Sequence, residues 1–476
     1  MLPKSLITLV FCCLSLVFFG QNKAEKAVII QEILLEGLEK TKEAIVWREL
    51  DLKVGDTLVL ENLAQRLERN KSNLFNTNLF KSVIVDTTFV GHQSLNLKFT
   101  FDERWYFWPW FIFDVIDQNW NVWWKEKNRD LNRATYGFSL EQHNWRGRNE
   151  TLTLDVQGGF LRNISLTYYR PAIGKQRKWG VISRVGYWTN RKVPYRSEQN
   201  KLVFYDQETP AFKQFAIGLT LNYRKNLYTE HFIKARYESS WASDTLLQYN
   251  PQYFFGGKSQ QRFLSLGYIF ERDLRDIKRY ALKGYYIRAS VVKKGFGIFD
   301  DLNTLSFETN YSHYFPIDKS RYVALNIKYH RTWGEQISYL SNIRIGTGDN
   351  DFRGYELYSI DTQEFLFLRA DAKQRLFAFN IYHSLIKKER RSIANEIYLR
   401  LFTETGWVRD HFFTNGDQNS LQNNLNNGHL FGAGLALDFV VRKNSHLSVE
   451  YSYNKYDKKA FLFFHFGIGW DDWRKI

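Results

Sequence analysis

From about residue 133 to the C-terminus, apolar and polar residues alternate in run after run. Phe215, Ile217, Leu219, Leu221 and Tyr223 interleave with Ala216, Gly218, Thr220, Asn222 and Arg224. Val323, Leu325, Ile327 and Tyr329 interleave with Ala324, Asn326, Lys328 and His330, and Leu447, Val449, Tyr451 and Tyr453 with Ser448, Glu450, Ser452 and Asn454. A period of two sends successive side chains to opposite faces of one strand. About sixteen runs of this kind occur, starting near residues 133, 150, 162, 178, 198, 213, 230, 260, 283, 303, 321, 363, 395, 429, 446 and 459. So many two-faced strands need cover for every apolar face. Lipid or a second sheet can supply it.

Composition narrows that choice. The 476 residues are 44% hydrophobic and 17% aromatic, yet the mean hydropathy is −0.44. After residue 20 no run reaches the roughly 18 uncharged apolar residues that a membrane helix needs. A soluble all-β protein or a membrane β-barrel remains, the barrel hiding its lipid face in alternate positions. Pro171, Pro194, Pro210, Pro251 and Pro316 fall at strand ends or in connections, which suits a closed ladder. Residues 1–20 carry Lys4, an apolar stretch from Leu6 to Phe19, and Gly20 before a polar segment, the pattern of a secretory signal peptide. Cys12 and Cys13 both lie inside it, so the mature chain is expected to have neither disulfides nor thiolate chemistry. The signal peptide and the long strands, roughly ten residues each, favour the barrel over a soluble sandwich.

The formal net charge is +16, with basic residues scattered along the chain. No helix or loop concentrates them into a reading element, so nucleic acid is not expected as a partner. No Gly-x-Ser-x-Gly, His-Glu-x-x-His, phosphate-loop or EF-hand pattern occurs, and the ten histidines are dispersed. The expectation is a non-enzyme with no cofactor and no metal site.

Residues 26–104 have a different character. A strand over 28–35 is followed by helical spacing in 42–50, a Gly55-Asp56 turn and an amphipathic helix over 60–74. Two further strands, 82–89 and 94–103, close the βααββ order. The stretches ILLEGLEKT, WREL, VGD, NLFNTNLFKSVIV and LNLKFTFDE resemble a POTRA domain. That resemblance implies capture of extended client chains by strand addition at a sheet edge. Residues 104–125 hold six of the 15 tryptophans. They suit a membrane–water interface, and 105–132 is read as an aromatic linker.

One loop sharpens the reading. Phe352-Arg353-Gly354-Tyr355 lies in the long connection after about the eleventh strand. LRLFTETGWV (399–408) would put Glu404 and Gly406 on the lumenal face. Together these resemble the loop motif and the acidic-x-Gly strand of the BamA/TamA superfamily of outer-membrane proteins. The first hairpin (136–150), LTYYRP (166–171) and ERDLRDIKRYALKG (271–284) resemble further family segments, with Ala281 where proline is common. The resemblance implies a loop folded into the lumen, with Arg353 paired to Glu404, whose planar fork and carboxylate match chemically. It also implies a lateral seam between strands near 133–142 and 459–470, the latter weakened by Gly467 and Gly469.

The expected protein is mainly β. A signal peptide (1–20), a POTRA domain (26–104) and a linker (105–132) precede a transmembrane antiparallel barrel of about 16 strands (133–476). It would sit in the outer membrane with the POTRA domain in the periplasm. The implied partners are outer-membrane lipid, unfolded outer-membrane or secreted client proteins, and periplasmic or lipoprotein partners. The implied function is insertion, assembly or translocation of proteins. A two-partner-secretion-like translocator or a passive pore is the alternative.

Overall fold

A computed structural model describes residues 27–467 apart from 92, 116–122, 125–127, 175, 300, 347–349, 384–390, 412–422 and 442–444. The expected signal peptide and Gly469 lie outside the described residues. The chain divides into two compact units: one holds the described residues up to Glu39 with Val46–Glu103, the other Lys40–Ile45 with everything from Arg104.

The first unit runs β1 (Ala27–Glu36), the last turn of α1 (Glu43–Glu49), β2 (Thr57–Val59), α2 (Leu60–Phe75), β3 (Phe80–Val90) and β4 (Ser94–Glu103). The short β2 is an addition to the βααββ expectation; it follows the Gly55 turn, where φ is +92°. The sheet order is β2-β1-β4-β3, with β1 parallel to β4. Leu95, Leu97, Phe99 and Phe101 are buried in strict alternation, with Val28, Ile30, Leu58 and Leu74 also in the core. β3 ends the sheet, and most of its side chains are exposed.

The second unit is an antiparallel sheet of sixteen strands. They are β5 (Phe107–Val115), β6 (Ala134–Trp145), β7 (Glu150–Gly159), β8 (Leu161–Ile173), β9 (Trp179–Asn190), β12 (Phe212–Asn226), β13 (Thr229–Ala242) and β14 (Gln260–Asp273). After them come β15 (Gly284–Lys294), β16 (Asn303–Pro316), β17 (Arg321–Gln336), β20 (Glu364–His383), β21 (Arg391–Arg409), β22 (Gly428–Val441), β23 (Ser445–Asn454) and β24 (Lys459–Gly467). Each pairs with its neighbours in this order. Two small hairpins stand outside the sheet: β10 (Lys192–Glu198) with β11 (Lys201–Asp206), and β18 (Ile343–Ile345) with β19 (Ile360–Thr362). The architecture is a β-barrel preceded by a small α+β domain. Outward side chains such as Ile217, Leu219, Leu221, Leu435 and Leu437 are exposed, as a lipid face is, while Thr220, Asn222, Asp438, Glu450 and Ser452 are buried inside.

Two boundaries are corrected. Residues 105–132 are not merely a linker, because Phe107–Val115 forms the first barrel strand, paired to β6 from Phe107↔Gln142 to Val115↔Ala134. Aromatic residues on both faces and Pro109 hide the alternation there. Among the described residues β5 stands at the end of the sheet order, a position where proline is tolerated. Conversely, the run near 198 lies in the β10–β11 hairpin, outside the barrel. Its turn residues Gln199 and Asn200 have φ of +51° and +58°, which suits a two-residue hairpin turn.

Candidate functional site: the loop inside the barrel

The barrel lumen is filled from both ends. From one end comes the connection between β17 and β20. It forms the β18–β19 hairpin, and the described part of its tip, residues 350–359, carries the Phe-Arg-Gly-Tyr motif. Phe352 and Tyr355 are fully buried among Ile345, Ile360, Phe365, Phe367, Leu430 and Phe463. Phe352 meets the Phe367 ring edge-on at 4.9 Å and that of Tyr355 at 5.4 Å. Burying this apolar tip anchors the loop.

Glycines make the room. A Cβ on Gly406 would lie 2.8 Å from the Phe352 ring and 2.7 Å from that of Phe367. A Cβ on Gly432 would lie 2.2 Å from the Arg353 carbonyl oxygen. Gly354 itself sits at φ +84°, and its carbonyl accepts a 2.7 Å bond from Asn454 Nδ2. Gly406 thus serves the motif sterically, by leaving space for an aromatic ring.

The expected Arg353–Glu404 side-chain pair is not formed. The Arg353 guanidinium grips Asp371 with both terminal nitrogens and lies 4.8 Å over the Phe402 ring. Glu404 is fully buried and reaches the motif differently: its Oε2 accepts the Arg353 backbone N–H at 3.3 Å. Its own cation is Arg369, bonded through Nε at 2.9 Å and Nη2 at 2.8 Å. The reason is register. Arg369 lies directly opposite Glu404 in the β20–β21 ladder, so it takes the carboxylate first. Asp371, two residues along the same lumenal face of β20, is left for the loop arginine.

A third pair continues the network. Arg400 donates to Asp438 from Nε at 2.9 Å and from Nη2 at 3.1 Å, and its Nη2 also reaches Ser448 at 2.8 Å and Glu450 at 3.3 Å. Asp438 also accepts from the Tyr280 hydroxyl at 2.9 Å. Tyr280 belongs to the turn between β14 and β15, which enters the lumen from the opposite end and packs on Tyr398 and Val440. That turn is held by Arg275 clamped on Asp273 at 2.7 and 2.9 Å, and by the Asp276 carboxylate accepting from the Leu282 and Lys283 amides. Asp371, Arg369, Arg400 and Asp438 escape a motif search; lumenal charges at alternate strand positions were their signal, but their pairing needs the register.

A cap lies beyond the loop. Asn200, fully buried, holds Ser359 through its carbonyl at 2.8 Å and Leu425 through its side chain at 3.1 Å. Asn423 closes the set by donating to the Ser197 carbonyl at 2.8 Å.

The seam strands are also relocated. The sheet order ends at β24 on one side and β5 on the other, so the first seam strand is 107–115, not 133–142. Among the described residues no ladder joins β5 to β24. Gly467 lies at the end of β24, opposite His446.

Comparisons with known proteins agree with this architecture. Residues 28–104 match the POTRA family, described as surface antigen variable number repeat. BamA from Haemophilus ducreyi lacking POTRA domains 1–3 has the same fold: TM-score 0.53 at 14% identity, covering 93% of this chain and 84% of that one. CdiB from Escherichia coli is equally similar in structure, with TM-score 0.53 at 11% identity, covering 92% of this chain and 75% of that one. No curated protein sequence matches the chain.

Proposed function

We propose, from a POTRA domain joined to a barrel of BamA-type fold, that this chain assists the insertion and assembly of β-barrel proteins at the outer membrane. The POTRA domain would stand in the periplasm and hand on unfolded clients. The observation that carries this reading is that, among the described residues, the barrel sheet begins at β5 and ends at β24 with no ladder between them. A seam where the sheet order ends is where strand N–H and C=O groups come within reach of an added strand. In lipid those groups must be satisfied within protein, so an incoming client strand gains most by pairing there. The filled lumen supports the same route, since the loop and the β14–β15 turn both occupy the space a through-going chain would use. Work of this kind is templating and needs no chemical step.

The likeness to CdiB favours one second reading, translocation of a secreted partner, in which the loop would have to leave the lumen. Depleting the protein and quantifying the outer-membrane proteome separates the two. Loss of several barrel proteins is the expected outcome. An unchanged outer membrane with one secreted protein missing would replace insertion by translocation. Partners beyond the client, in the periplasm or among lipoproteins, would be sought by cross-linking from β3, the open edge of the POTRA sheet.

A further inference from the structure

The three bidentate arginine–carboxylate pairs leave two further lumenal carboxylates on the same side of the barrel. Glu356 follows the Phe-Arg-Gly-Tyr motif in the loop, and Glu450 is on β23. His465, on β24, joins them. In the β23–β24 ladder Ser448 faces His465 and Glu450 faces Phe463, so Glu450 and His465 are diagonal neighbours on the lumenal face. His465 Nε2 lies 3.7 Å from Glu356 Oε1 and 4.0 Å from Glu450 Oε2. One ligand atom from each of the three residues falls within 4.8 Å of the others.

Several features distinguish this group from a solvated acidic surface. Glu356 and Glu450 are 2% and 1% exposed. His465 Nε2 is shielded from solvent and has no hydrogen-bond partner among the described residues, although it points between two carboxylates. Glu450 is already oriented, its Oε1 by Ser452 Oγ at 2.7 Å and its Oε2 by Arg400 at 3.3 Å.

We propose that Glu356, Glu450 and His465 form a binding site for a divalent first-row transition metal, of which Zn²⁺ and Mn²⁺ are the probes of choice. Two carboxylate oxygens and one imidazole nitrogen are a mixed N/O donor set of the kind these ions take, with remaining positions left to water. Ca²⁺ and Mg²⁺ prefer more oxygen donors and no imidazole. Metal–ligand bonds of about 2.0–2.2 Å require the three atoms to close inward by about an ångström or less. Because Glu356 is in the loop and His465 in the last strand, a bound ion would tie the lumenal loop to one edge of the seam. The site stands independently of whether the barrel inserts or translocates its clients.

The test uses the untagged full-length protein in detergent, stripped with EDTA and titrated with Zn²⁺ and, separately, Mn²⁺. Calorimetry should find one tight equivalent of one of these ions, and metal should raise the temperature at which the folded band is lost on semi-native gels. His465→Gln and Glu356→Gln should each weaken binding by at least about tenfold and abolish the thermal shift. Each variant's own metal-free folded band shows that it folds. If a variant fails to fold, Co²⁺ absorption spectra of the wild-type protein decide, a d–d band with imidazole character being expected. The proposal is overturned if the wild-type protein binds neither ion tightly, gives no such band, or binds equally well after His465→Gln.

Discussion

Replacing Arg353 by alanine probes the loop through a partner that the motif alone does not reveal. Asp371 has a side chain only 12% exposed, and Arg353 one that is 17% exposed. Removing one member of a buried ion pair typically costs about 3–5 kcal/mol, because the other charge stays in place without its partner. The stacked guanidinium over Phe402 adds about 0.5–2 kcal/mol to what is lost. Glu404, by contrast, keeps both bonds from Arg369 and the backbone N–H of residue 353. A double-mutant cycle therefore separates the two carboxylates. Arg353→Ala with Asp371→Ala should show a coupling of about 2–3 kcal/mol, whereas Arg353→Ala with Glu404→Gln should stay below about 1 kcal/mol. Equilibrium urea unfolding in detergent, read by the heat-shifted band, measures all five variants against the parent. A larger coupling to Glu404 than to Asp371 would refute the assignment and restore a direct Arg353–Glu404 pair.

Other outcomes follow from the same geometry. Gly406→Ala should cost about 1–3 kcal/mol through overpacking against Phe352 and Phe367, and Phe352→Leu in the same chain should recover part of it in urea unfolding. Tyr280→Phe removes a buried hydrogen bond to Asp438 and should destabilise the barrel by about 1 kcal/mol, measured the same way. The isolated segment 26–104 should fold without lipid by circular dichroism and bind extended peptides. Ile84→Pro, on the exposed edge strand β3, should abolish that binding while leaving the fold; peptide binding unaffected by this change would remove β3 as the docking edge.

Much of the barrel is legible because lipid outside and polar lumen inside impose opposite demands on alternate residues. Fifteen of the sixteen sequence runs coincide with barrel strands. The exception at each margin has a cause. β10–β11 alternates like a barrel strand because it too packs one face, against Leu246, Tyr253 and Phe254 in the cap. β5 does not alternate, since Trp108 and Trp110 stack at 5.5 Å on one face while Phe107 and Phe111 occupy the other. In the first unit, the apolar helix and strand faces mark the core, but the three-residue β2 is too short to leave a period.

The candidate site divides along the same line. Local pattern marks the loop motif, the lumenal position of Glu404 and the small residue at 406, because each depends on neighbours within a few residues. Which carboxylate Arg353 grips depends on how β20 slides against β21, since a shift of two residues would exchange Arg369 for Asp371 opposite Glu404. The convergence of Glu356, Glu450 and His465 likewise requires a loop folded inward against the last two strands. Thus the sequence alone determines which residues face lipid and which face the lumen, through a period enforced by two solvents. The tertiary structure decides which lumenal charges meet, because register and loop burial bring together groups that are far apart along the chain.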